Sequence, residues 1–177
     1  MNRGPKIVVI GAGSFFFGRA VVYNMAQSPV LRTGTLALVD TDPHVLETMM
    51  KLARRAKEFS GAPFELLGST DRREVMKGAD FVVSSFSFRN THYRGTDVRI
   101  ARKYGVTMCS GDTIGPGGVF RTLRELPEIL RIARDIRELA SDAWMINFVN
   151  PTAALGLGLM RHAPDVKSFA LCDDLHD

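Results

Sequence analysis

Short apolar runs alternate with longer stretches of helical periodicity along most of the chain. Apolar, β-branched runs bounded by Gly, Pro, Asp or Ser are typical of buried strands, whereas apolar residues spaced three and four positions apart are typical of helices. The runs predict six strands, at 6–10, 35–40, 64–67, 80–85, 144–149 and 168–171. The periodicity predicts helices at about 14–28, 43–59, 71–77, 94–104 and 152–161, and a long helix after residue 118.

This alternation of strands and helices indicates the fold class. A strand, a helix and a second strand in succession imply parallel strands with helices on both faces of the sheet. Six such strands make a complete α/β Rossmann fold, a doubly wound and mainly parallel six-stranded sheet with the expected order 3-2-1-4-5-6. We expect the glycines at 115–118 to break the chain before the long helix, and Pro127 to kink that helix or to separate two abutting helices.

The first predicted strand leads into a glycine turn, GAGS at 11–14, and then into a helix. Gly11 permits a tight turn, and Gly13 has no Cβ to hold a pyrophosphate away from the backbone. The free N–H groups at the start of the helix attract phosphates, so the pattern is typical of a dinucleotide site. The third glycine of the usual pattern comes late, because Phe16 occupies its position and Gly18 follows. An ordinary strand-to-helix turn is the alternative.

Asp40 ends the second predicted strand, where a carboxylate can accept hydrogen bonds from the adenosine ribose. It would repel the 2′-phosphate of NADP, so NAD is the expected cofactor, although the spacing from Gly13 exceeds the usual value of roughly 20 residues. The alternative is a turn residue before the helix that Asp42 and Pro43 begin. The predicted cofactor-binding residues are Gly11, Gly13, Ser14, Phe15 and Asp40.

Composition excludes several classes of protein. The 177 residues are 45% hydrophobic and 24% charged, which is ordinary for a globular domain with a sizeable core. The net charge is +4, but basic residues are spread among acidic ones, so we expect no nucleic-acid partner. With no signal-peptide pattern and no apolar run near ~18 residues, we expect a cytoplasmic protein without a membrane partner. Cys109 and Cys172 make no disulfide framework.

Several motifs together resemble the NAD- and metal-dependent glycosidases of glycoside hydrolase family 4, specifically their N-terminal domain. The most specific motif is T-x-G-P-G-G followed by an arginine-bearing helix, whereas Asn-Pro also occurs in lactate and malate dehydrogenases. The resemblance lies in the turn at 11–14, KYGV at 103–106, DTIGPGG at 112–118, FRTLR at 120–124, Asn150-Pro151, and Cys172 at the end of the sixth strand.

The resemblance implies an NAD-dependent glycoside hydrolase acting on a small-molecule glycoside. In that mechanism NAD⁺ takes a hydride from C3 of the sugar, and a divalent metal, typically Mn²⁺, holds the C2 and C3 oxygens. A base removes the C2 proton, the C1 substituent is eliminated, water adds and the hydride returns. The net reaction is hydrolysis, and NAD is a resident cofactor.

The resemblance also assigns site residues. Asn150 matches the asparagine beside the substrate hydroxyls, and Cys172 matches the cysteine metal ligand. The alternatives are a simple turn residue for Asn150 and a buried small apolar residue for Cys172. Arg94 and Asp112 are candidate substrate contacts, although both residue types are common at surfaces and helix caps. The family's Cys-His-Ser is here CDD at 172–174, which adds two oxygen ligands or marks a subgroup with a different substrate or no metal.

The family's catalytic groups are expected mostly outside this chain. We expect 1–177 to be the NAD-binding domain, able to bind NAD⁺ but not to catalyse. The catalytic base, the histidine ligand and a catalytic and oligomerisation domain are expected beyond Asp177, with a dimer or tetramer as the full-length form. One alternative is a lactate/malate-type 2-hydroxy-acid dehydrogenase, which would need Arg89 or Arg94 for its substrate but has no place for the glycines at 115–118. A non-catalytic NAD-binding module is the other.

Overall fold

The computed structural model describes residues 4–108 and 113–172, and it is an α/β fold. The strands are β1 Lys6–Ile10, β2 Thr35–Val39, β3 Glu65–Ser69, β4 Phe81–Ser84, β5 Trp144–Asn147 and β6 Ser168–Ala170. The helices are α1 Phe17–Gln27, α2 Pro43–Ser60, α3 Arg72–Met76, α4 Asn90–Lys103, α5 Gly115–Leu139 and α6 Thr152–His162. The sheet order is β3-β2-β1-β4-β5-β6 with every pair parallel, which confirms the predicted Rossmann fold.

The sheet is buried on both faces by two separate apolar cores. On one face Val9 and Leu38 pack with side chains of α1 and α2. On the other face Val8 packs with side chains of α3, α5 and α6, including Ile129 and Ile132. Burying one such side chain contributes about 1.5–3 kcal/mol, so the central strands have little freedom to shift register. The carboxyl ends of these strands are therefore fixed relative to one another.

The predicted helix starts after β2 and β3 are confirmed, with caps formed by Asp42 and Asp71. Asp42 Oδ1 accepts from the backbone N–H of His44 at 2.9 Å and of Val45 at 3.2 Å. Asp71 Oδ1 accepts from the N–H of Arg73 at 2.9 Å. A capping side chain of this kind typically contributes ~1 kcal/mol, so each helix begins at a defined residue beside the sheet edge.

Two helix starts and one predicted extended piece also differ from the prediction. Helix α1 begins at Phe17 rather than near Ser14, because residues 11–16 form turns. Helix α4 begins at Asn90 rather than Arg94, directly after Arg89, which has a left-handed backbone with φ of 41°. The predicted extended piece at 106–109 lies partly outside the described residues, and 106–108 form neither helix nor strand.

The predicted break at the glycines 115–118 is wrong, because helix α5 begins at Gly115 and includes them. Gly118 is buried where the helix approaches the preceding chain, and a Cβ there would lie 2.6 Å from the carbonyl oxygen of Thr113. The helix also continues through Pro127 to Leu139, so the alternative of two abutting helices is wrong. Pro127 is exposed, so water can satisfy the carbonyl that loses its N–H donor.

Within the described residues no helix is apolar and long enough to cross a bilayer.

Candidate functional site

A cleft of about 760 Å³ opens at the carboxyl ends of β1 to β5, where an open α/β sheet binds its ligands. We refer to it as the cleft. Segments that follow five different strands line it, including the β4–α4 loop at 85–88. Five of the residues predicted from sequence lie together in its lining: Gly11, Gly13, Ser14, Asp40 and Asn150.

Gly11 brings the first turn into contact with both neighbouring strands. Its φ is +81°, and the N–H groups of Gly11 and Ala12 both donate to the Val39 carbonyl at 2.9 Å. A Cβ at Gly11 would lie 2.7 Å from the Phe86 nitrogen. A side chain here would therefore suffer both backbone strain and a clash with the β4–α4 loop.

Gly13 and Asp40, which both line the cleft, are directly hydrogen-bonded to each other. The Gly13 N–H donates to Asp40 Oδ2 at 2.8 Å, and the Asp42 N–H donates to Oδ1 at 3.1 Å. A Cβ at Gly13 would overlap Val45 Cγ1 and lie 2.8 Å from Asp40 Oδ2. Asp40 thus stabilises the local turn and also faces the cleft. Each carboxylate oxygen has a second lone-pair site, so these bonds leave acceptor capacity for a ribose hydroxyl.

Gly18 performs the packing role that the third glycine has in the usual fingerprint. It lies in the first turn of α1, where a Cβ would overlap the Ala12 carbonyl oxygen. Its N–H donates to the Ser14 carbonyl at 2.9 Å, and Ser14 Oγ accepts from the Phe17 N–H at 3.3 Å. The fingerprint is therefore longer by two residues because α1 starts late, and the close approach of helix and turn is preserved.

A buried asparagine that sequence analysis did not select fixes the β5 side of the cleft. Asn147 Oδ1 accepts from Ser84 Oγ at 2.8 Å, and its Nδ2 donates to the Val149 carbonyl at 3.0 Å. These bonds determine the path of the chain to Asn150, whose Oδ1 accepts from Thr152 Oγ1 at 3.0 Å. The available signal was a polar residue in an apolar strand.

The other predicted site residues are not in the described lining of the cleft. Phe15 is 68% exposed and lies under the Arg19 guanidinium, 4.8 Å from ring centroid to Cζ. Arg94 is exposed on α4 and borders a smaller pocket beside α5. Cys172 is exposed just after β6. Asp112 lies outside the described residues.

These positions differ in how well they fit the two expected cofactors. The glycine turn and Asp40 fit a dinucleotide, because both line the cleft and because Cβ atoms at Gly11 and Gly13 would collide with Phe86 and Val45 and change the path of the turn. For a metal, Cys172 offers one thiol. No group of three or more His, Cys, Asp or Glu within 4–108 and 113–172 is arranged to hold an ion. The described residues alone therefore do not make a metal site.

A buried ion pair on α5 lies beneath the β4–α4 loop and was also missed by sequence analysis. Arg121 lines the cleft, and its Nε lies 3.9 Å from Glu125 Oε1. The same oxygen accepts from Ser87 Oγ at 3.0 Å and from the Phe88 N–H at 3.3 Å. Glu125 is only 1% exposed, and its Oε2 is buried without a hydrogen-bond partner among the described residues. The pair therefore holds the loop that forms one wall of the cleft.

Burial raises the pKa of Glu125 above its ordinary value, although Ser87 and Arg121 oppose the shift. At pH values between the pKa of Glu125 in the unfolded chain and its higher pKa in the folded chain, the folded chain binds more protons than the unfolded chain does. The stability that this proton binding gives is fully present below the unfolded-state pKa and is lost as the pH rises through the folded-state pKa.

Glu125→Gln has no carboxyl group to protonate, so we expect the variant to lack this pH-dependent contribution to stability. The stability of the natural chain minus that of the variant should fall as the pH rises above about 4, the ordinary pKa of a glutamic acid, as measured by urea unfolding. A difference that is constant or rises with pH would contradict the assignment.

Comparison with known proteins adds an independent observation. Residues 6–176 match the family described as family 4 glycosyl hydrolase. The chain is 38% identical over 175 residues to a probable 6-phospho-β-glucosidase of Bacillus subtilis strain 168, covering 98% of this chain and 39% of that protein. It is 32% identical to an α-glucosidase of Erwinia rhapontici, covering 96% and 38%.

Structural comparison agrees with the sequence matches. A solved 6-phospho-β-glucosidase from Thermotoga maritima, with manganese, NAD⁺ and glucose-6-phosphate, superposes with a TM-score of 0.83 at 24% identity. The match covers 96% of this chain and 40% of that one. The chain thus spans about two fifths of the length of these relatives. Since a family match extends over nearly all its residues, this chain belongs to the family 4 glycosyl hydrolases.

Proposed function

We propose that this chain is the NAD-binding domain, 1–177, of an NAD- and divalent-metal-dependent glycoside hydrolase. The observation that carries the proposal is the cleft, in which Gly11, Gly13 and Gly18 let the first turn pack closely against its neighbours and Asp40 lies at the next strand end. Family membership supports it, and so do the NAD⁺ and manganese named for the Thermotoga maritima structure. The proposed substrate is a small-molecule glycoside.

We assign each of these cleft residues a role according to its position in the sheet. The turn at 11–14 lets the pyrophosphate approach the N-terminal end of α1, whose positive dipole end attracts it, and Asp40 accepts hydrogen bonds from the adenosine ribose. Asn150 follows β5, which lies two strands from β1 on the side away from β2. There it orients substrate hydroxyls at the opposite end of the cleft from Asp40. When bound, NAD⁺ supplies reversible hydride removal from the sugar.

The metal site is proposed on chemical grounds. The Cys172 thiolate supplies a ligand for a divalent ion, probed here as Mn²⁺, and the remaining ligands come from outside the described residues. Arg94 and Asp112 are proposed as substrate contacts and Phe15 as a further cofactor contact. Following the family resemblance, we also propose that the full-length protein is a cytoplasmic dimer or tetramer.

The direct test is release of an aryl alcohol from a panel of aryl glycosides, with and without a 6-phosphate. The full-length protein should release it only with NAD⁺, Mn²⁺ and a reductant present, whereas the 177-residue chain should release none. Release by the chain alone would show that the active site is complete within it. Undiminished release by full-length protein without bound NAD⁺ would contradict the function itself.

Asp40→Asn should weaken NAD⁺ binding to the chain by about 1–2 kcal/mol, which is the contribution of hydrogen bonds to a charged group. The affinity for NADP⁺ should fall less or rise, since the variant removes the charge that repels the 2′-phosphate. Calorimetric titration with both nucleotides measures the two changes. Asp42→Asn is the matched control, because it removes a carboxylate two residues away and Asn is an equally good helix cap. Equal effects of the two variants would contradict the role of Asp40.

A further inference from the structure

Arg72 lines the cleft at the end of β3, and two carboxylates of α5 hold its side chain in place. Its Nε donates to Asp135 Oδ2 at 2.6 Å, and its Nη1 donates to Glu128 Oε1 at 2.6 Å. The side chain is 21% exposed, whereas that of Asp135 is 8% exposed. The guanidinium is therefore oriented before any ligand arrives.

The geometry of these bonds leaves the flat faces of the guanidinium available. Hydrogen bonds to a guanidinium lie in its plane, because all five N–H groups lie in that plane. Nε and one N–H of Nη1 are occupied at one edge, so the plane of the guanidinium is fixed and its faces are free of these bonds. Arginine faces stack on aromatic rings more readily than lysine ammonium groups do.

The position of Arg72 in the sheet order indicates which part of a dinucleotide it meets. The pyrophosphate site follows β1, and Asp40, the proposed ribose acceptor, follows β2. Arg72 follows β3, the next strand outward, and we expect the base attached to that ribose to extend towards it. Val45, which contacts the Gly13 turn, lines the same end of the cleft.

The charges around Arg72 favour a base over a phosphate. Its charge is already matched, because Arg72, Arg73 and Arg131 form an ion-pair cluster with three acids, Glu128, Asp135 and Glu138. Asp71 and Asp40 also line this end of the cleft. A 2′-phosphate placed here would meet an acidic surrounding rather than an unmatched arginine. We infer that Arg72 recognises the adenine ring of the cofactor by stacking, an assignment that rests on the proposed NAD⁺ site.

The experiment compares adenine-containing and adenine-free ligands on the 177-residue chain and its variants. Arg72→Lys keeps the charge but loses the planar group, and it should weaken NAD⁺ and AMP about three- to tenfold. Nicotinamide mononucleotide, which lacks adenine, should keep its affinity. Arg73→Lys is the matched control, because Arg73 also binds Asp135 but does not line the cleft. It should leave all three affinities unchanged.

The possible outcomes separate stacking from a structural effect. Unchanged NAD⁺ and AMP affinity in Arg72→Lys overturns the inference, as does an equal loss in Arg73→Lys or an equal loss of the mononucleotide. Arg72→Gln, with a planar but neutral amide, should show a smaller loss than Arg72→Lys, and a larger loss would overturn stacking. If the natural chain binds AMP with this dependence on Arg72 but not NAD⁺, the proposed function fails while the adenine site stands. If it binds neither, both fail.

Discussion

Gly18→Ala is expected to abolish measurable NAD⁺ binding and to lower the free energy of unfolding by about 1–3 kcal/mol. A Cβ at Gly18 would overlap the Ala12 carbonyl oxygen, which is backbone and cannot move aside as a flexible side chain would. To relieve the overlap, α1 must move away from the turn that binds the pyrophosphate. Urea unfolding measures the stability, and calorimetric titration measures the NAD⁺ affinity.

Gly95→Ala provides the matched control, since it is the same substitution inside another helix. Gly95 lies in α4, and no heavy atom would lie within 4 Å of its Cβ. Alanine is a better helix former than glycine, so this variant should be more stable by up to about 1 kcal/mol and should bind NAD⁺ normally. Opposite signs for the two substitutions are the expected result. Destabilisation by both, or normal NAD⁺ binding in Gly18→Ala, would contradict the packing role of Gly18.

Cys172→Ser in the full-length protein is expected to abolish metal-dependent turnover while leaving NAD⁺ affinity nearly unchanged. The two side chains are similar in size, but the hydroxyl stays protonated and is a poor ligand for Mn²⁺. Cys172 follows β6 at the far edge of the sheet from Asp40, so the cofactor site should not be disturbed. Turnover with added Mn²⁺, Mn²⁺ binding and NAD⁺ titration are the three measurements.

Cys109→Ser is the control for thiol loss, because no metal role is proposed for Cys109, and it should keep Mn²⁺-dependent turnover. If Cys172→Ser retains normal activity and normal metal dependence, Cys172 is not a ligand. If instead it loses NAD⁺ affinity together with activity, the substitution acts on the cofactor site and the metal assignment fails.

The fold was predictable because its signals are local. Each central strand is a short run such as 6–10 or 35–39, buried on both faces, and Asp42 and Asp71 begin helices through bonds to residues two or three positions away. The wrong helix starts lie where local signals conflict. Glycines at 115–118 favour a break in isolation, but they lie inside α5, where Gly118 leaves room for the Thr113 carbonyl.

The site was predictable only where one short segment forms it. The turn at 11–14 and Asp40 follow from their positions after strands, and even the delayed Gly18 was visible as an irregular fingerprint. The hydrogen bonds of Arg72 to Glu128 and Asp135 join residues 56 and 63 positions apart, and the Ser84–Asn147 bond also joins residues 63 positions apart. No short-range pattern indicates such pairs, because the packing of α3 on α5 and of β4 beside β5 creates them.

The most direct test of the account is calorimetric titration of the 177-residue chain with NAD⁺ and NADP⁺ under identical conditions. The account predicts saturable binding of NAD⁺ at one site and binding of NADP⁺ that is about tenfold weaker or more, because Asp40 repels the 2′-phosphate. Absence of NAD⁺ binding to the folded chain, or NADP⁺ binding that is equal or tighter, would contradict it.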